Sequence, residues 1–95
     1  MEEEIRSIVE KVILENAEML ELPIDKKNLE QIKLWGVNGV LDSLGVATVI
    51  TDIEAEIDTK LNYNILISEE IFKSESNFTD LNSLVEIIFN LIMRC

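Results

Sequence analysis

Residues 39–44 read Gly39, Val40, Leu41, Asp42, Ser43, Leu44 and run straight into an apolar stretch with helical spacing. Asp42 is a strong N-cap residue, because its carboxylate accepts backbone N–H groups that the first turn of a helix leaves free. Ser43 then falls at the first helical position, with its hydroxyl facing solvent. An oxygen placed there suits a phosphate ester, since unpaired N–H groups and the helix dipole both favour negative charge. The expected chemistry is covalent attachment at Ser43, with the other elements holding that hydroxyl out. By itself a serine at a helix start is most often a capping or surface residue, so its surroundings must decide.

Most other chemistries lack their parts. There is no His among the 95 residues, which removes the commonest general acid–base and metal ligand from triads, zinc sites and carboxylate–histidine di-iron sites. Asp52, Glu54, Glu56 and Asp58 alternate like a calcium loop, but the glycine for its sharp turn is missing and apolar residues intervene. A solvated acidic helix face is the expectation, with no metal site. No Gly-rich phosphate loop and no base near Ser43 in sequence support an enzyme. The lone Cys95 cannot form an intramolecular disulfide, which fits a reducing compartment.

Eight basic against nineteen acidic residues give a net charge of −11. That sign counts against nucleic acid, whose phosphates need Lys and Arg, and against acidic membrane surfaces. It suits partners with basic docking patches, although solubility alone accounts for it equally simply. The first residues are acidic where a secretory signal is basic. The apolar run 84–93 carries Glu86 and Asn90 and is too short to span a bilayer. A soluble, cytoplasmic, monomeric domain is expected.

The elements around Ser43 follow from apolar spacing. Over residues 3–20, Ile5, Ile8, Val9, Val12, Ile13, Ala17 and Leu20 share one side of an amphipathic helix, and Pro23 marks its end. Residues 21–41 hold no period. Asn28, Gly36, Asn38 and Gly39 are turn formers, while Leu22, Ile24, Leu29, Ile32, Leu34 and Trp35 are expected to anchor this loop, Trp35 as a core plug. A second helix is predicted over 43–61 with Asn62 as C-cap. Its stripe is Leu44, Ala47, Ile50, Ile53, Ile57 and Leu61, widened by Val46 and Val49. Ser68 is expected to cap a short helix with Ile71 and Phe72 inward, followed by a polar loop over 73–78. Thr79 is the expected cap of a last helix striped by Leu81, Leu84, Val85, Ile88 and Ile92. The fold class is therefore all-α: one domain, residues 1–95, a small four-helix bundle of three longer helices and one short one.

With Asp42–Ser43–Leu44 opening the second of four helices, after a long anchored loop in a short acidic chain, the sequence resembles the acyl carrier protein family. The resemblance runs from about Ile5 to Ile88 and is nearest to stand-alone carriers of specialised pathways. It implies an acyl-carrier-like fold and a protein that is not an enzyme. A phosphopantetheinyl transferase using Mg²⁺ would place the 4′-phosphopantetheine of coenzyme A on Ser43, between Asp42 and Leu44. The arm's thiol would then hold acyl or aminoacyl groups as thioesters. An acyl-activating ligase and acyl-transferring enzymes would dock on Asp42, Leu44 and Glu54, and Ala47, Ile50, Ile71 and Phe72 could line an acyl pocket or simply fill the core. Gly45, Thr48, Thr51 and Ala55 depart from the fatty-acid carriers, which favours a dedicated pathway. Gly45 in a first turn costs roughly 0.5–1 kcal/mol relative to Ala, for which close approach of a transferase or a tight loop contact would compensate. The alternative class is an unmodified four-helix adaptor that binds a basic partner through its acidic second helix.

Overall fold

A computed structural model describes residues 2–35, 39–67 and 79–94, and of Ser43 the backbone alone. The described residues are helical and irregular, without strands. Among the described residues three helices form: α1 (Glu2–Met19), α2 (Ser43–Leu61) and α3 (Leu81–Met93). The short helix expected after Ser68, with Ile71 and Phe72, and the loop expected over 73–78 lie outside the described residues.

Helix α1 opens on Glu2, Glu3 and Glu4, acids at the end of the dipole that favours them. Its apolar stripe is buried as the spacing predicts, from Ile5 through Ala17. Leu20 is a correction: it lies beyond the helix and is 48% exposed. The chain turns away one residue later, where Glu21 takes a left-handed conformation with φ of 56° and the Leu22 N–H donates to the Ala17 carbonyl at 2.8 Å. This closure is ordinarily made by glycine. A glutamate carrying it gives no sequence signal, so Pro23 was the only visible stop.

Helix α2 matches its expected bounds, and Asn62 closes it at φ 59°, its N–H donating to the Asp58 carbonyl. The buried stripe is Val46, Val49, Ile50, Ile53 and Ile57, whereas Leu44 is 76% exposed. Leu44 fits the helical spacing but sits in the first turn, two residues past the cap, where the core does not reach. Helix α3 begins one residue later than expected, with Asp80 rather than Thr79 as its cap. The Asp80 carboxylate accepts the Ser83 N–H at 2.9 Å and the Ser83 hydroxyl accepts the Asp80 N–H at 3.1 Å. This reciprocal capping box satisfies two donors at once, which a threonine one residue earlier cannot do.

Helix α1 packs against both α2 and α3, and the stripes meet in one cluster with Ile5, Ile50, Ile53, Leu81 and Leu84 fully buried. Burying a side chain of this size is worth about 1.5–3 kcal/mol. Polar ties hold the outside of the seams. Arg6 donates to Asn82 Oδ1 at 2.6 Å and faces Glu30 at 3.5 Å, joining α1 to α3 and to the long loop. Glu56 stands between Lys60 at 3.2 Å and Lys11 at 3.6 Å, joining α2 to α1. The Lys60 ammonium, helped by Lys11, holds the Glu56 carboxyl below its ordinary 4.5. A carboxylate with a lowered pKa stabilises the fold above its unfolded value and loses that contribution as pH falls through the folded one. Glu56→Gln should therefore lower the thermal midpoint slightly at neutral pH, as befits a solvent-screened pair. The two midpoints should converge below pH 4.5, as thermal melts across pH would show.

No helix among the described residues is long and apolar enough to cross a membrane.

Candidate functional site

The long loop is built from the anchors the sequence marks. Leu29 and Leu34 are buried, Ile24 nearly so, and Trp35 packs half-buried against the core. Asp25 organises the first part: its carboxylate accepts the N–H groups of Lys27 and Asn28, and Asn28 returns a bond to the Asp25 N–H. The second part folds back on itself. The Val40 N–H donates to the Lys33 carbonyl at 3.0 Å and the Leu41 N–H to the Leu34 carbonyl at 2.9 Å. On the other side of the same strand of chain, the Leu34 and Trp35 N–H groups both donate to the Thr79 carbonyl, at 2.6 and 3.3 Å. The start of α2 is thus tied through the loop to the residues that open α3. Thr79, expected as a cap through its side chain, contributes its carbonyl.

This brace delivers Asp42 in extended conformation, with φ −86° and ψ −177°. Its carboxylate accepts the Gly45 N–H at 2.7 Å, and its carbonyl accepts the Val46 N–H at 2.9 Å. Ser43 is the first residue of α2, and the first turn contains no acidic side chain. Gly45 has its compensation. A Cβ there would stand 3.2 Å from both Asp42 Oδ1 and Leu41 Cδ2, so the cap and the loop close over the position that glycine leaves open. Loss of the cap should cost about 0.5–2 kcal/mol in Asp42→Ala. Asp42→Asn, which keeps an acceptor oxygen, should retain most of the stability in the same denaturant melts.

The remaining residues named from the sequence are dispersed. Asp42 and Leu44 are exposed beside Ser43, Glu54 is half-buried further along α2, Ala47 is half-buried and Ile50 is fully buried in the core. Ile71 and Phe72 lie outside the described residues. Among the described residues no group of three or more His, Cys, Asp or Glu is placed to hold a metal ion.

Two features were not anticipated. The first is a groove of about 330 Å³ between the C-terminal end of α1, the loop and the start of α2. Met19, Leu20 and Leu44 line it and are 69%, 48% and 76% exposed, so three of the large apolar side chains left in solvent converge on one place. The second is Asn16, only 2% exposed among apolar neighbours. Both contacts of its amide nitrogen are to oxygens, the Val12 carbonyl at 2.9 Å and Asp52 Oδ2 at 3.1 Å. That fixes the amide orientation, since a flip would set oxygen against oxygen. Its own Oδ1 is buried and has no hydrogen-bond partner among the described residues. The sequence signal for Asn16 was a polar residue within the stripe Val12, Ile13, Ala17.

A scan of protein-family models and searches of curated proteins and of solved structures return no match to this chain.

Proposed function

We propose that this chain is a carrier of the acyl carrier protein type, with 4′-phosphopantetheine attached through a phosphodiester to the Ser43 hydroxyl. The observation that carries the proposal is the start of α2. A loop braced at both ends and an Asp42 cap present Ser43 as the first helical residue, with a solvent-exposed Leu44 beside it. The fit to such a group is physical. A phosphodiester anion at Ser43 meets a first turn free of acidic side chains, where helix N–H groups and the dipole favour it.

When bound, the arm supplies a thiol that holds acyl or aminoacyl groups as thioesters. The chain's own contribution is to position and tether: the rigid helix start fixes one end, so a group on the arm meets each docked enzyme at high effective concentration. Asp42 and Leu44 offer an acidic and an apolar contact for a transferase and for later partners, with Glu54 further along the same helix. The short helix expected after Ser68 completes the family's four-helix bundle in this proposal. With an acidic surface and net charge of −11, partners with basic patches are steered towards it.

Intact mass spectrometry after incubation with coenzyme A, Mg²⁺ and a broad-specificity phosphopantetheinyl transferase tests the proposal. A gain of one phosphopantetheinyl group, mapped to the peptide containing Ser43, is the expected result. An unchanged mass, with a control carrier modified under the same conditions, would leave the adaptor reading in its place.

A further inference from the structure

A continuous run of hydrogen bonds joins the start of α3 to the start of α2, and its first link is the Ser83 hydroxyl. The oxygen accepts the N–H groups of Thr79 and Asp80 at 2.9 and 3.1 Å, and the hydroxyl donates to the Asp80 carbonyl at 3.0 Å. A capping box needs only the Asp80 bond. The Thr79 bond reaches back past the cap and fixes the residue before it. Held in this way, the Thr79 carbonyl accepts the Leu34 and Trp35 N–H groups at 2.6 and 3.3 Å. Leu34 is fully buried and passes the tie on, since its own carbonyl accepts the Leu41 N–H at 2.9 Å. Leu41 is buried in turn, with its side chain over Gly45. It precedes Asp42, whose carboxylate and carbonyl hold the first turn of α2.

Every bond between Thr79 and Asp42 joins backbone to backbone, so no flexible side chain absorbs movement between the two ends. Leu34 has both its N–H and its carbonyl engaged, and a shift of Thr79 cannot pass it without breaking a bond. Coupling of this kind needs a contiguous physical connection, which these bonds supply. We infer that Ser83 is a positioning residue for Ser43. Its hydroxyl sets Thr79 and, through Leu34 and Leu41, sets the cap on which Ser43 is presented. The influence runs in both directions, as coupling between two sites must, so loosening the Asp42 cap loosens the bonds to Thr79. As a requirement for loading, this role rests on the carrier reading. The tie itself belongs to the unmodified chain and is tested there.

Amide hydrogen exchange of the unmodified protein, followed by NMR, reads the tie residue by residue. Ser83→Ala keeps a good helix former but removes the acceptor that Thr79 and Asp80 share. Exchange at Leu34, Leu41 and Gly45 should quicken roughly three- to tenfold, the factor one net hydrogen bond is worth. Ser83→Thr, which keeps a hydroxyl, should restore the slow rates. Ile92→Val thins the buried core at the other end of α3. It should quicken the buried Ile53 of α2 and leave Leu41 and Gly45 at their wild-type rates. Asp42→Ala should quicken Leu34 and Trp35, a second reading that stands if Ser83→Ala does not fold. Wild-type rates at Leu41 and Gly45 in Ser83→Ala, or at Leu34 in Asp42→Ala, overturn the inference. So does equal quickening by Ile92→Val, because the loop then has no opening of its own for Ser83 to govern. Loading of Ser43 by the transferase should slow severalfold in Ser83→Ala, as lost orientation at a reacting atom does, and recover in Ser83→Thr. A wild type that gains no mass overturns the carrier reading and the role in loading, while the exchange rates still decide the tie. A Ser83→Ala variant that loads as fast as a loading wild type overturns the positioning role and leaves the carrier reading intact.

Discussion

Ser43→Ala should abolish transfer of phosphopantetheine completely while leaving the thermal midpoint almost unchanged. In the proposed carrier the oxygen that reacts is a single atom, and neither neighbouring side chain replaces it. Asp42, which precedes it, has its carboxylate engaged with the Gly45 N–H, and Leu44 carries no hydroxyl. The bonds described at the start of the helix are made by other groups. The cap is made by Asp42, the first intrahelical bond runs from the Val46 N–H to the Asp42 carbonyl, and alanine is a better helix former than serine. Mass spectrometry and a thermal melt on the same sample check both halves. Loading of the alanine variant would place the attachment elsewhere and remove Ser43 from the proposal. A large drop in the midpoint would instead make the residue structural.

Gly39→Ala should destabilise the fold by about 1–3 kcal/mol, the usual range for forcing extra volume into a packed site. A Cβ at Gly39 would lie 2.8 Å from the Trp35 Cα and carbonyl carbon and 2.9 Å from its nitrogen. These are backbone atoms, and none is the far end of a flexible side chain that could swing aside. Relief requires moving the chain at residue 35 or at residue 39. Trp35 is held by its N–H to Thr79, and the residues after Gly39 by the Val40–Lys33 and Leu41–Leu34 bonds. Movement therefore breaks part of the brace that sets Asp42. A domain of this size loses roughly 4–8 °C of midpoint per kcal/mol, so thermal unfolding reads the effect easily. Loading at Ser43 should slow in the same variant if the brace positions the hydroxyl, and an unchanged rate would show that the cap alone suffices.

Gly45→Ala offers the contrast. Its added Cβ meets Asp42 Oδ1 and Leu41 Cδ2 at 3.2 Å. The leucine methyl can give way, whereas the carboxylate oxygen is pinned at 2.7 Å to the Gly45 N–H. The helix-propensity gain and the cramped cap then oppose each other in one residue. Glycine's cost in the first turn is thus the counterpart of a close-fitting loop, as its position after the cap suggests.

How far the chain could be read without its tertiary structure depends on the range of the interactions involved. Period and caps act within a few residues, so the two ends of α2, the Asp42 cap, the Asn62 closure and the buried stripes of α1 and α3 were all legible. The loop anchors Leu29 and Leu34 were legible too, since apolar residues between turn formers must find cover. Glu21 ended α1 without announcing itself, because a glutamate takes the left-handed conformation there and the next residue, Leu22, donates its N–H to the Ala17 carbonyl. Asp80 displaced Thr79 because a reciprocal pair with Ser83 outweighs a single hydroxyl. What only the packed structure decided lies where three elements meet. There Thr79 receives the loop's N–H groups, Gly39 fits against the Trp35 backbone, and Leu20 and Leu44 remain in solvent around a groove. Asn16 has a buried oxygen at that seam with no partner among the described residues. None of these follows from spacing along one helix, because each is set by the distance between segments that the sequence holds far apart and the core brings together.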